Sequence, residues 1–208
     1  MQKVLRLITG KQFRGNSISL PGAAKGYTML VDMDETLIHS EEWKAGVKYD
    51  EVVEIVNPMG MKEKIGVFVR PYCLEFLQRM AARFEIVVYT AAREDYASQV
   101  IDRLDPTGRL VSGRLYRQHC SNADGSLVKD FRVIANRKRE NILLVDNLIY
   151  SFAADLEQGI HIKSYTNGRD DYELEYLANV LDKLEFGQSV PKFIESNFRF
   201  KQFYQRLG

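Results

Sequence analysis

The sequence predicts an α/β fold: a mostly parallel central sheet with helices on both faces and a small β-hairpin inserted after the first strand. Three observations carry this expectation. Short apolar, β-rich runs at 27–32, 85–89 and 141–145 read as buried strands. Helical patterns alternate with them, the arrangement that joins parallel neighbours through crossovers. All three runs exit into polar groups capable of chemistry: Asp32 and Asp34, then Thr90, then Asp146 with Asn147. In open sheets of this kind ligands bind outside the carboxyl ends of the strands.

The remaining elements follow in order. Residues 1–26 hold scattered Gly and Ser and read as an irregular lead-in. Residues 49–56 and 64–69 alternate apolar with polar positions around Asn57-Pro58-Met59-Gly60, which predicts the inserted hairpin. Arg70-Pro71 opens a helix with Leu74, Leu77 and Ala81 on its apolar face, since proline suits the first helical position. A second helix spans 93–104 and stops at Asp105-Pro106 and Gly108. A weaker strand is expected over 160–164, then a strong helix over 171–184 with Leu174, Leu177, Val180, Leu181 and Leu184 on one side. The chain thus divides into the lead-in, one domain over 27–185 and a C-terminal segment, 186–208, whose Phe- and Lys/Arg-rich tail, 191–207, is expected to dock as a helix.

Composition narrows the function. With 208 residues, 45% hydrophobic and 27% charged, the chain can bury a substantial core without a metal or disulfide. A net charge of +1 gives no global case for binding nucleic acid or an anionic membrane. Two cysteines make no disulfide framework, and Cys73, inside a predicted helix, should pack as a small hydrophobe. Three scattered histidines, His39, His119 and His161, lack the spacing of a zinc site. No apolar run is long enough to span a bilayer and the start has no secretory pattern, so a nuclear or cytoplasmic location is expected.

The sharpest local feature is Leu30-Val31-Asp32-Met33-Asp34-Glu35-Thr36-Leu37. Along an extended chain, alternate side chains point the same way, so Asp32 and Asp34 can face one pocket. Two anions held so close repel unless a cation or a shared proton intervenes. Phosphoryl transfer would explain the arrangement. Asp32 would attack phosphorus and form an aspartyl-phosphate, while Asp34 gives and takes the proton. A Mg²⁺ ion held by Asp32, by Asp34 through its carbonyl and by Asn147, with Asp146 orienting a metal-bound water, would screen the charge. Thr90, through its hydroxyl, and Ala91, through its N–H, would bind phosphoryl oxygens, and Lys129 would supply further positive charge. Each residue also has a structural alternative. Asp34 and Thr36 could satisfy backbone groups at a strand end, Thr90 could cap a helix, Lys129 could be a surface partner of Asp130, and Asp146-Asn147 could form a turn.

The order Asp-x-Asp-x-Thr, Thr, Lys, Asp-Asn resembles the Rossmann-like haloacid-dehalogenase (HAD) superfamily. The fuller run Asp32-Met33-Asp34-Glu35-Thr36-Leu37-Ile38-His39-Ser40 is similar to its FCP/SCP-like branch, the NLI-interacting-factor-like phosphatases. Arg70-Pro71, Glu75-Phe76-Leu77, Tyr89-Thr90-Ala91, Arg114-Leu115-Tyr116-Arg117, Val128-Lys129-Asp130 and Val145-Asp146-Asn147 match further landmarks over about 27–185. The resemblance implies a Mg²⁺-dependent protein serine/threonine phosphatase acting on a phosphoprotein, with the C-terminal repeats of RNA polymerase II among the substrates of the branch. A small-molecule phosphatase and a non-catalytic peptide-binding domain are the alternatives. The chain departs from the branch at Leu148-Ile149, where Ser-Pro is usual, which bears on substrate choice. Trp43, Tyr49 and Val53 are candidates for an apolar substrate pocket on the inserted hairpin, or for ordinary hairpin packing. His39 is expected to play a structural hydrogen-bonding role.

Overall fold

Tyr27–Val31 is buried at every position, a state that a strand reaches only with neighbours on both edges and cover on both faces. It is β1 of the computed structural model, which describes residues 17–22, 26–123 and 125–198. After it come β2 (Ile38–Glu42), β3 (Glu51–Val56), β4 (Lys62–Val69), α1 (Cys73–Ala81), β5 (Phe84–Tyr89), α2 (Glu94–Leu104) and β6 (Val111–Leu115). The second half holds β7 (Ser121–Ala123), β8 (Ser126–Val128), β9 (Ile142–Asp146), β10 (Gly159–His161), α3 (Glu173–Leu181) and α4 (Val190–Asn197). β1 is the middle strand of a five-stranded sheet in the order β10-β9-β1-β5-β6, paired in parallel throughout.

Period-two alternation splits the core in two. Met29, Val31, Ile86, Val88, Leu143 and Val145 face the larger cluster, which receives the buried side chains of the four α-helices of the described residues. Leu30, Val87, Tyr89 and Leu144 face the other way and are covered by Leu20, Phe131, Ile134 and Phe152. The cover on this second face includes short 3-10 turns, Phe131–Val133 and Ile149–Phe152. The predicted α/β architecture with a parallel central sheet is what the chain adopts, but the α-helices expected on both faces pack, among the described residues, on one face only.

Several boundaries differ from expectation. The inserted hairpin is a three-stranded antiparallel sheet, β2-β4-β3, because Ile38–Glu42 pairs along β4 from Ile38 opposite Val69. The first helix begins at Cys73 rather than at Arg70-Pro71, because Tyr72 holds a left-handed φ of 64° that no right-handed turn can include. Its buried stripe is therefore Cys73, Phe76, Leu77 and Met80, and Leu74 is half exposed. α3 starts after Asp171, whose carboxylate accepts the Glu173 N–H at 3.1 Å. β6, β7 and β8 lie in stretches where the sequence predicts no strand. Most of the lead-in and the tail beyond residue 198 lie outside the described residues.

Candidate active site

The ladder between β1 and β9 runs one residue past the strand, with the Asp32 N–H donating to the Val145 carbonyl at 2.9 Å. Met33 is fully buried and Asp34 returns to the cleft, so the period-two placement of the two carboxylates holds. The chain then reverses. Glu35 takes a left-handed φ of 61°, and the Leu37 N–H closes onto the Met33 carbonyl at 2.8 Å. His39 Nδ1 is bonded to the Glu35 carboxylate and stacks on Phe68, the structural role expected of it.

Asp32, Asp34, Thr90, Ala91, Lys129, Asp146 and Asn147, drawn from four separate loops, all line one open cleft of about 680 Å³. The Lys129 ammonium contacts Asp32 Oδ1 and lies 2.6 Å from Asp146 Oδ2, with only 3% of its side chain exposed. It is no surface lysine, and Asp130 pairs with Arg132 instead. The second oxygen of Asp32 accepts from the Thr36 hydroxyl at 2.9 Å. Asp34 Oδ1 accepts from the Tyr96 hydroxyl at 2.9 Å and the Ser40 hydroxyl at 3.4 Å, and its Oδ2 from the Thr90 hydroxyl at 3.4 Å. Thr90 also accepts the Ala92 N–H at 3.0 Å but does not cap α2, whose N-cap position is Arg93, with no side-chain cap bond. Asp146 does terminate its strand, through the Leu148 N–H at 2.7 Å, while holding Lys129.

The electrostatics follow from burial. Burial pushes the Asp32 carboxyl up to about 6, with the Lys129 ammonium opposing and Asp146 adding to the rise. Asp34 is also raised to about 6, first by burial and then by the charge of Asp32, against hydrogen bonds from Tyr96 and Ser40. Burial acts to lower Lys129, but Asp146 and Asp32 outweigh it and hold the amine in its charged form. A cation is thus built into the carboxylate cluster.

The donors suit a magnesium ion only in its water-rich mode. Among the described residues no group of three or more His, Cys, Asp or Glu side chains could hold a metal ion. Magnesium, however, commonly keeps several waters and takes only one or two carboxylates. Asn147 donates its amide nitrogen to Ser164 Oγ at 3.0 Å, which leaves the amide carbonyl oxygen as a hard-oxygen ligand beside Asp32. The Asp32 carboxylate and the Asn147 amide oxygen are the cleft's donors that such an ion could take together with water.

The apolar wall of the cleft differs from expectation. Val53 is buried in the core, and the Tyr49 ring lies on Gly66, where a side-chain carbon would sit 2.2 Å from it. Trp43 lines a separate hollow with Lys64. Ile55 and Ile65 face the cleft instead, together with Leu127, Leu148 and Tyr150, and the arginines Arg93 and Arg117 stand on the same cleft. Two contributors were missed from sequence. Tyr96 carries no motif signal and reaches Asp34 only because α2 starts just after Thr90. Arg70 is expected from the sequence only to open a helix. Its guanidinium, fully buried, instead binds Asp171 bidentately at 2.8 and 2.9 Å and the Thr36 carbonyl at 2.9 Å, tying down the loop that carries both aspartates.

A parallel α/β sheet with two aspartates at the end of its central strand, a buried lysine and an Asp-Asn pair at the neighbouring strand defines the site. The family of NLI interacting factor-like phosphatases matches residues 27–191, and the chain belongs to that family. It is 33% identical over 176 residues to the CTD small phosphatase-like protein 3 of Caenorhabditis elegans, covering 84% of this chain and 60% of that protein. A probable C-terminal domain small phosphatase of Dictyostelium discoideum is 39% identical over 157 residues, 76% of this chain and 50% of the relative. The CTD nuclear envelope phosphatase 1B of Danio rerio is 32% identical over 178 residues, 81% and 71% of the two chains. The chain thus spans half to three fifths of the length of the first two relatives. Among solved structures, the fission yeast RNA polymerase II CTD phosphatase Fcp1 bound to beryllium fluoride shares the fold, with a TM-score of 0.56 at 21% identity over 83% of this chain and 54% of that one. No helix among the described residues is long and apolar enough to cross a membrane.

Proposed function

We propose that the chain is a Mg²⁺-dependent protein serine/threonine phosphatase that works through an aspartyl-phosphate on Asp32. The observation that carries this reading is the contact of the buried Lys129 ammonium with Asp32, two residues from Asp34 in the same cleft. An Asp32 oxygen attacks phosphorus as the ester P–O bond breaks, and the departing serine or threonine oxygen takes a proton from Asp34. Water then attacks phosphorus, gives its proton to Asp34 and releases inorganic phosphate with Asp32 regenerated. Lys129, the Thr90 hydroxyl and the Ala91 N–H receive the charge on the phosphoryl oxygens. Bound through Asp32, the Asp34 carbonyl and Asn147, Mg²⁺ would neutralise the approach of carboxylate to phosphate.

An open cleft with apolar side chains and two arginines beside the phosphate position suits a flexible phosphopeptide better than a compact metabolite. Phosphorylated RNA polymerase II C-terminal repeats are the first substrate to try, given what Fcp1 is named for. A nuclear or cytoplasmic setting belongs to the same proposal. Turnover of such a repeat peptide should require Mg²⁺, stop on chelation and vanish in Asp32→Asn, while Asp34→Asn slows it by about two to four orders of magnitude. Faster turnover of small phosphorylated metabolites would replace the protein substrate, and turnover by neither wild-type arm would replace the enzyme with a binding domain.

A further inference from the structure

Away from the cleft, α1 and α3 meet in a surface hollow of about 290 Å³ lined by Tyr72, Glu75, Phe76, Arg79, Leu174, Glu175 and Ala178. It shares no residue with the catalytic cleft. Beside it three exposed tyrosines form a chain: the Tyr72 and Tyr172 rings lie 5.7 Å apart and Tyr172 and Tyr176 6.3 Å apart, both pairs tilted. Single exposed aromatics are ordinary, but three in contact make a patch. Tyr72 is further held in a left-handed backbone conformation at the start of α1, where a bulky residue is strained. Strain of that kind persists where the surroundings fix it and tends to gather at functional sites.

Charge chooses among occupants. Glu75 and Glu175 line the hollow and lie close enough to Tyr72 to raise its hydroxyl, after the larger effect of desolvation. Neither glutamate is in an ion pair among the described residues, whereas the one cation of the lining, Arg79, is engaged by Asp182 and Asn179. Tyrosine faces and uncompensated carboxylates together recognise a cation, the rings through their quadrupole and the carboxylates through Coulomb attraction. A second copy of the chain would have to bring such a cation to the patch. We propose that this α1–α3 surface is a docking site for a partner segment presenting an arginine or lysine side chain, seated between Glu75 and Glu175 against the tyrosines.

The test is a titration of the full chain, followed by the NMR ring resonances of its tyrosines, with the peptide Gly-Arg-Gly-Arg-Gly and with the same peptide carrying glutamine at both arginines. The arginine peptide should shift the Tyr72, Tyr172 and Tyr176 resonances saturably, and the shifts should shrink with added salt. Tyr176→Ala should weaken binding about fivefold, and Glu75→Gln should weaken it and reduce its salt dependence. Both substitutions sit on exposed positions outside the catalytic cleft, and turnover of an aryl phosphate should be unchanged. Equal shifts with the glutamine peptide, no ring shifts with either peptide, or a concentration-dependent dimer whose interface moves the same resonances would each overturn the proposal.

Discussion

Lys129 Nζ lies 2.6 Å from Asp146 Oδ2 while also touching Asp32, so one buried ammonium joins the ends of β1 and β9. Removing it strands two buried carboxylates. Lys129→Ala should cost about 3–5 kcal/mol, the range for breaking a buried pair on one side, and should abolish turnover. Lys129→Arg should restore neither, because a planar guanidinium cannot replace a compact ammonium between the two acids. Urea denaturation and an aryl phosphate assay check both parts.

The Tyr96 hydroxyl, 2.9 Å from Asp34 Oδ1, orients the residue proposed to move the proton. Tyr96→Phe keeps the ring and deletes the bond. It should lower kcat by about tenfold, as for loss of a hydrogen bond to a charged group, with little change in KM. A rise in KM at constant kcat would make Tyr96 a substrate contact instead.

Asp171 neutralises the fully buried Arg70 guanidinium that grips the Thr36 carbonyl. Asp171→Ala leaves that charge unpaired and should destabilise the fold by about 3–5 kcal/mol. Loss in the same variant of hydrogen-exchange protection at the Leu37 and Ile38 amides, which close the aspartate loop, would locate the damage.

Asp105 supplies a pH dependence outside the cleft. Burial acts to raise its carboxyl, but the N–H groups of Val111, Leu110 and Arg109 together outweigh burial and hold it below the usual carboxylate range. A depressed folded pKa means stability that is present above the unfolded value, about 3.9, and is lost as pH falls through the folded one. Asp105→Asn should therefore be less stable than wild type by about 1–2 kcal/mol near neutrality, with the gap closing below pH of about 4. A gap independent of pH would assign the effect to geometry rather than charge.

The parts legible in the sequence were those with strong local patterns. β1, β5 and β9 are continuous apolar runs buried at nearly every position, and their exits carried the candidate site. β2 was missed because Ile-His-Ser-Glu-Glu has one buried residue and reads as polar loop. β6 was missed because Val-Ser-Gly-Arg-Leu carries a glycine and two polar residues, its place at the sheet edge being set by pairing with β5. The ties that organise the cleft, Tyr96 to Asp34 and Arg70 to Asp171, join residues 62 and 101 positions apart. Such partners have no local signature, since the fold alone brings them together.

The most direct measurement is to quench a single turnover in acid, reduce the protein with borohydride and map the product by peptide mass spectrometry. An acyl phosphate on Asp32 would be reduced to homoserine at that position, and Asp32→Asn would give none. Complete substrate turnover with no reduced residue, or reduction at Asp34 or Asp146 instead, would contradict the account.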